Sequence, residues 1–244
     1  TAAQLAKQIM LDAGISAGDI SSSDITALDS ATAAEVGYWL SGSASAKQAL
    51  DSVLGSVGAW WGVDRLGKFR LARFDAPSGT PVATLTPVEI IKIDRIASSD
   101  APNTVWQVNL SYKPFGVTQA SDLAGSVSAA RRAELAQPSR KVTASDSSVK
   151  TLHALADTLE VETHLADATA AQTEATRLLN LYKVRRDTLS VRVALDADLA
   201  GAVDLGSVVS VQVPRYGYDS GRLMRVTSIR TDLRGGVLDL TLWG

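Results

Sequence analysis

The sequence contains no cysteine. That single absence excludes disulfide frameworks, thiolate nucleophiles, iron–sulfur ligation and cysteine-based zinc sites, and it leaves the redox compartment unmarked. Histidine is almost as scarce, with His153 and His164 the only 2. Held on one helix they would lie about 16 Å apart at 1.5 Å rise per residue, too far to share a metal ion. Neither sign of charge dominates: 24 Lys and Arg stand against 26 Asp and Glu, for a net charge of -2. A general nucleic-acid or anionic-membrane surface is therefore not expected, nor is nucleic-acid sequence recognition. No apolar run approaches the roughly 18 residues of a membrane helix, and no basic segment followed by an apolar core opens the chain. The chain begins at Thr1, already inside a helical pattern, and reads as a processed or excised part of a longer polypeptide.

Motifs that carry chemistry are missing as well. No Gly-x-Ser-x-Gly turn presents a hydrolase nucleophile; Gly42-Ser43-Ala44-Ser45-Ala46 approaches the spacing but runs directly into a helix cap. There is no Gly-x-x-x-x-Gly-Lys-Ser/Thr phosphate loop and no Gly-x-Gly-x-x-Gly turn. Asp94, Asp196, Asp198 and Asp204 lack the Gly and Glu offsets of a calcium loop, so no metal or cofactor is expected. Glu160 and Glu162 would share one face of a strand at roughly 7 Å, a separation compatible with a glycosidase carboxylate pair but produced equally by any exposed strand edge.

What is present describes a folded chain. With 244 residues, 45% hydrophobic and 20% charged, it has material for one large domain or two small ones. Ala2, Leu5, Ile9 and Ala13 recur at helical spacing. Ser16 to Ala34 reads as a loop with one helical turn or as an exposed docking edge, and Val36 to Leu40 as a brief strand. Ser45-Ala46-Lys47-Gln48 has capping-box spacing and opens a helix with Leu50, Val53, Leu54 and Val57 on one face and Gly58 at its end. Trp60 to Asp64 and Phe69 to Phe74 flank a hairpin turn at Gly67. Thr84 to Ala97 reads as a strand pair or a strand and turn, and a domain boundary is placed near residues 98 to 103. Thr104 to Tyr112 alternates as a strand, whereas Val117 to Ser148 reads as a long polar excursion. A helix near 166–183 carries Ala168, Ala171, Ala175, Leu178 and Tyr182 on one stripe, fitted to close packing on a sheet or on a second copy. Leu189 to Leu195, Ser207 to Val213, Arg222 to Thr231 and Val237 to Trp243 then read as strands with tight turns. The expected class is α+β and β-rich: a small α/β lobe over 1–98, then an antiparallel β-barrel or sandwich over 99–244 with one long helix.

Two sets of residues are interface candidates. Tyr38-Trp39 and Trp60-Trp61 gather Trp39, Trp60 and Trp61 in one lobe, where their rings serve either core packing or an exposed platform. Lys183, Arg185 and Arg186 close the long helix, where they either cap its negative end or reach a neighbouring subunit.

Leu205-Gly206-Ser207-Val208-Val209, Val213-Pro214-Arg215-Tyr216-Gly217 and Gly221-Arg222-Leu223-Met224-Arg225-Val226 follow one another near the end of the chain. With the Ala-rich helix, the Leu181-Tyr182-x-x-Arg185 segment and the closing Leu240-Thr241-Leu242-Trp243-Gly244, they resemble the tail-hub or tail-tip proteins of long-tailed bacteriophages and related tail-like particles. Residues Ala13-Gly14-Ile15, Val36 to Leu40 and Trp60 to Phe69 are similar to the small α/β lobe of that family. The resemblance covers about two thirds of the chain and is loose over 113–165. It implies a non-enzymatic virion protein at the distal end of a tail, built in the host cytoplasm as part of a trimeric ring that joins the tail tube to host-recognition parts. The other reading of the sequence is a carbohydrate- or receptor-binding β-module using exposed tryptophans.

Overall fold

The computed structural model describes residues 1–39, 42–96, 104–115, 117–119, 121 and 123–244, with Ala197 described by its backbone alone. Helix α1 (Ala2–Asp12) and a short 3-10 turn (Ala17–Asp19) precede α2 (Ser22–Ala31) and α3 (Ala46–Gly55). The hairpin β1 (Ala59–Val63) and β2 (Phe69–Arg73) follows, then β3 (Thr84–Leu85), β4 (Ile90–Arg95) and β5 (Val105–Tyr112). Next come α4 (Ala129–Leu135), β6 (Arg140–Ser145), α5 (Ser147–Leu152), β7 (Asp157–Glu162) and the long α6 (Ala168–Tyr182). The chain ends with β8 (Thr188–Ala194), α7 (Ala197–Ala202), β9 (Val208–Val213), β10 (Tyr218–Asp232) and β11 (Val237–Trp243). The class is α+β and β-rich.

The chain forms two compact units, each assembled from two stretches: Thr1–Phe74 with Asn103–Lys183, and Asp75–Pro102 with Val184–Gly244. The boundary expected near residues 98 to 103 falls outside the described residues.

In the first unit α1 packs on α2 and α3, and α6 lies across β5 and β6 of a three-stranded sheet ordered β6-β5-β7. Ala3, Ala6, Met10, Ile25, Leu28, Leu54 and Leu71 close one core; Val53, Val57, Val108, Leu110, Ala171, Ala175 and Leu178 close another. Small Ala171 and Ala175 let α6 approach its sheet closely, and burial of the larger neighbours contributes roughly 1.5–3 kcal/mol per side chain. The capping box of α3 is complete: Ser45 Oγ accepts from Gln48 N at 3.2 Å, and Gln48 Oε1 accepts from Ser45 N at 3.0 Å. After α3 the chain turns at Gly58, whose φ of +61 disfavours a side chain; a Cβ there would also run into the Arg177 guanidinium.

The second unit is one six-stranded sheet, ordered β3-β9-β10-β11-β8-β4 and curled into a half-barrel. All its pairings are antiparallel except β3 with β9. Alternation puts Leu189, Val191, Val193, Val209, Val211, Met224, Val226, Leu238, Leu240 and Leu242 inside. On the other face Arg192 meets its cross-strand neighbour Asp239 at 2.7 Å. β10 is long enough to pair with β9 along its first half and β11 along its second, and register shifts at 218/222 and 226/228 bend it between them. Gly221, at φ +88, sits inside the first shift, with Ser210 Oγ where a Cβ would go.

Several expectations need correction. Ser16 to Ala34 contains a helix of 10 residues, α2, not a loop with one turn. Its composition hid it: only Ile25 and Leu28 are buried, while Ser21 caps the helix and Asp24 reaches Arg70 at 2.6 Å. Val36 makes one isolated bridge to Leu165 rather than a strand. Thr84 to Ala97 does yield two strands, but β3 and β4 lie at opposite edges of the sheet instead of pairing. Long-range registers with β9 and β8 override the local hairpin. The polar excursion holds α4 and β6 and runs into the start of α5; β6 pairs with β5 and buries Ala144 while its outward residues stay charged or hydroxylated.

Candidate functional site

The residues tested for chemistry do not converge. His153 caps the end of α5, and His164 follows β7 with its ring edge-on to Tyr38 at 5.1 Å. Burial pushes the His164 imidazole below its ordinary pKa of 6.5, against the opposing pull of Glu162. Glu160 and Glu162 are both exposed on β7. Glu160 accepts from Asn109 Nδ2 at 2.6 Å and lies 3.8 Å from Lys141, the ordinary cross-strand pairing of a wet sheet face. Asp94 is paired with Lys92 at 2.7 Å, and Asp204 accepts from Leu205 N at 2.8 Å. Among the described residues no group of three or more His, Cys, Asp or Glu side chains could hold a metal ion. No described helix is long and apolar enough to cross a membrane.

The aromatic candidates divide. Trp39 is 80% exposed. Trp60 and Trp61 are half-buried on β1. Trp61 stacks on Phe69 at 6.3 Å, donates from Nε1 to Asp51 Oδ1 at 2.8 Å and packs on the helical core. Its ring has an intramolecular use that adjacent tryptophans in a strand make natural, since one of each pair turns inward.

The basic candidates divide as well. Lys183 ends α6, donating its backbone N–H to Leu179 and holding Asp146 at 3.4 Å. Arg185 and Arg186 lie past the helix, whose last turn carries no basic residue, so they do not act as its caps. They belong to the second unit, at the end of the sheet where β4 and β11 finish and β8 and β10 begin. Asp187 is the centre of that end. Arg95 Nε donates to its Oδ1 at 3.0 Å, Tyr218 donates its hydroxyl to Oδ2 at 2.6 Å, and Arg185 Nε stands 3.9 Å away. Burial pushes the Asp187 carboxyl up, but the Tyr218 and Arg95 hydrogen bonds and the charges of Arg95 and Arg185 outweigh it and hold the group below the usual carboxylate value. The same burial, with the neighbouring carboxylate, pushes Tyr218 up to about 12.

Around this centre lie further guanidinium groups. Arg95 and Arg215 stand over the Tyr216 ring at 5.7 and 5.1 Å, Arg222 over Tyr218 at 6.0 Å, and Arg186 over Trp243 at 5.3 Å. Tyr216 and Tyr218 are 5.9 Å apart, and Arg222 acts on the charge of Arg186, which joins the groups into one cluster. Sequence reasoning found Arg185 and Arg186 but missed Arg95, Arg215, Arg222 and Asp187. Only the folded sheet brings residue 95 to residue 187; Val213-Pro214-Arg215-Tyr216-Gly217 and Gly221-Arg222 were visible as motifs, without a sign that they share a rim.

No protein-family model matches the sequence, and no curated protein matches it. Among solved structures, the tail protein from Neisseria meningitidis MC58 is similar over 100% of this chain, with a TM-score of 0.60 and 17% identity. The fold is that of this tail protein. A chain of the virion of a native gene transfer agent particle is similar over 81% of this chain, with a TM-score of 0.51 and 19% identity. The chain spans 66% of the Neisseria protein and 38% of the gene transfer agent chain. Two of the segments that carry the resemblance in the sequence fall in regular elements: the Ala-rich stretch is α6, and the closing motifs lie in β9, β10, β11 and the turns between them.

Proposed function

We propose that the chain is a non-enzymatic structural protein of a phage tail or tail-like particle, placed in the virion at the distal hub or tip, where it joins the tail tube to host-recognition components. The observation that carries this reading is the likeness of the whole chain to the Neisseria tail protein. The half-barrel of the second unit supports it, because hub proteins of the family that the sequence resembles contain tube-like β-barrels. The scattered carboxylates and histidines support a structural role over a catalytic one. Other tail proteins are the partners in this reading, with three copies closing a ring in the full assembly.

Immunogold electron microscopy on particles from cells encoding the chain tests the proposal. Label at the distal tip is the expected result. Label along the tube would replace the hub assignment with a tube role, and intact tails without label would overturn the reading.

The second reading, a carbohydrate- or receptor-binding module, rests on Trp39, whose ring stands 80% exposed. Quenching of tryptophan fluorescence by cell-wall sugars is its expected signature.

A further inference from the structure

Among the described residues, the end of the second sheet has more positive charge than its own acidic groups can neutralise. Arg95, Arg185, Arg186, Arg215 and Arg222 are linked through shared rings and charges to one carboxylate, Asp187. Asp219, the nearest acidic residue along β10, alternates away from buried Tyr218 and lines a separate recess with Thr86, Pro87, Gln212 and Pro214. Asp187 is already engaged by Arg95 and Tyr218. That leaves Arg186, Arg215 and Arg222 with no carboxylate partner among the described residues, and Arg186 Nε is buried without a hydrogen-bond acceptor. Burial first, and Arg222 second, disfavour the charged form of Arg186. Unpaired guanidinium groups held beside one another repel, and an acceptor entering from outside relieves that repulsion. The chain as a whole carries -2, so this concentration of positive charge is local.

We propose that this rim is a docking surface for an acidic peptide segment of a partner protein, with Arg186, Arg215 and Arg222 receiving its carboxylates. The Asp187 site shows the chemistry in miniature: a guanidinium and a phenol converge on one carboxylate. Nucleic acid fits less well. Base recognition on such a surface uses open aromatic faces, whereas guanidinium groups already stand over the rings of Tyr216 and Trp243, and Tyr218 is 3% exposed. The inference rests on the charges of the rim and stands apart from the position of the chain in a particle.

The test is fluorescence anisotropy of a fluorescein-labelled oligoglutamate peptide titrated with the full chain. Binding that weakens as salt rises is expected. The double charge reversal Arg186→Glu with Arg222→Glu should weaken it by at least about tenfold, because close charge pairs set much of the affinity of such contacts. Lys141→Glu, on the first unit, should leave it unchanged. If the double variant does not fold by circular dichroism, Arg215→Glu, in an exposed turn, carries the same expectation at smaller size. No binding of oligoglutamate, or binding indifferent to Arg186, Arg215 and Arg222, overturns the proposal. Tighter binding of labelled oligothymidylate with the same sensitivity overturns it in favour of a nucleic-acid surface.

Discussion

Tyr218 and Asp187, 31 positions apart, are joined by a hydrogen bond of 2.6 Å from the phenol to the carboxylate, inside the end of the half-barrel. The first residue of β10 is thereby tied to the residue that precedes β8, two strands that are not neighbours in the sheet. Tyr218→Phe keeps the ring and removes the donor. It should lower the unfolding free energy by about 2 kcal/mol at neutral pH, the scale of a buried hydrogen bond to a charged group. The pH dependence follows from the lowered pKa of Asp187. A carboxyl whose pKa is lower folded than unfolded stabilises the fold above its unfolded value and loses that contribution as pH falls through the folded one. The gap between the two proteins in urea unfolding should therefore narrow as pH falls below the ordinary Asp value of 3.8.

Glu174 and Arg177 form a buried pair on α6, with Nε and Nη2 of Arg177 donating to the carboxylate at 2.8 and 2.6 Å. Arg177 Nη1 also donates to the Phe74 carbonyl at 2.8 Å, so the pair ties the helix to the end of the β1–β2 hairpin. Glu174 is 8% exposed. Glu174→Ala should cost about 3 kcal/mol, since it leaves a guanidinium in a poorly solvated place. Glu174→Ala with Arg177→Met should cost less than the sum of the single changes, which a double-mutant cycle in urea measures directly.

These two relationships differ in how far the sequence discloses them. Glu174 and Arg177 are three positions apart on a helix that alanine and leucine spacing reveals, so their pairing is a local consequence of helical geometry. Tyr218 and Asp187 meet only after the sheet has curled. The same division runs through the fold. The capping box at Ser45, the hairpin at Gly67 and the alternation of Leu238, Leu240 and Leu242 are local patterns, and each forms the element it announces. Helix α2 is hidden because its polar face outnumbers its buried residues, Ile25 and Leu28. The edge positions of β3 and β4 are hidden because partner choice in a sheet depends on distant strands. The arginine rim is the extreme case, drawing on residues from 95 to 243 with no spacing to connect them.

His164 predicts a separate pH response. Its imidazole is partly buried against Tyr38 and its pKa lies below 6.5. The unfolded chain therefore binds the proton more readily than the folded one, and stability must fall as pH drops below 6.5 toward the folded value. Urea midpoints measured at neutral pH and at about pH 5.5 should differ in that direction. His164→Gln, which cannot titrate, should flatten the difference. An unchanged slope would show that the imidazole is as solvated folded as unfolded.

Trp39 and Trp61 separate folding from recognition among the aromatic residues. Trp61 has a stacking partner in Phe69 and a hydrogen bond to Asp51, so Trp61→Ala should cost about 3 kcal/mol through lost packing. Trp39, 80% exposed, has little folding role to lose, and Trp39→Ala should change stability by less than about 0.5 kcal/mol. If the ring anchors a glycan or receptor, the variant keeps its urea midpoint while the fluorescence response to cell-wall sugars disappears. If the unmutated chain shows no response to millimolar sugar, the carbohydrate reading fails. Trp39 would then be an apolar ring left for contact with a partner protein, and, in the particle proposed above, its exposure read by quenching before and after assembly should fall.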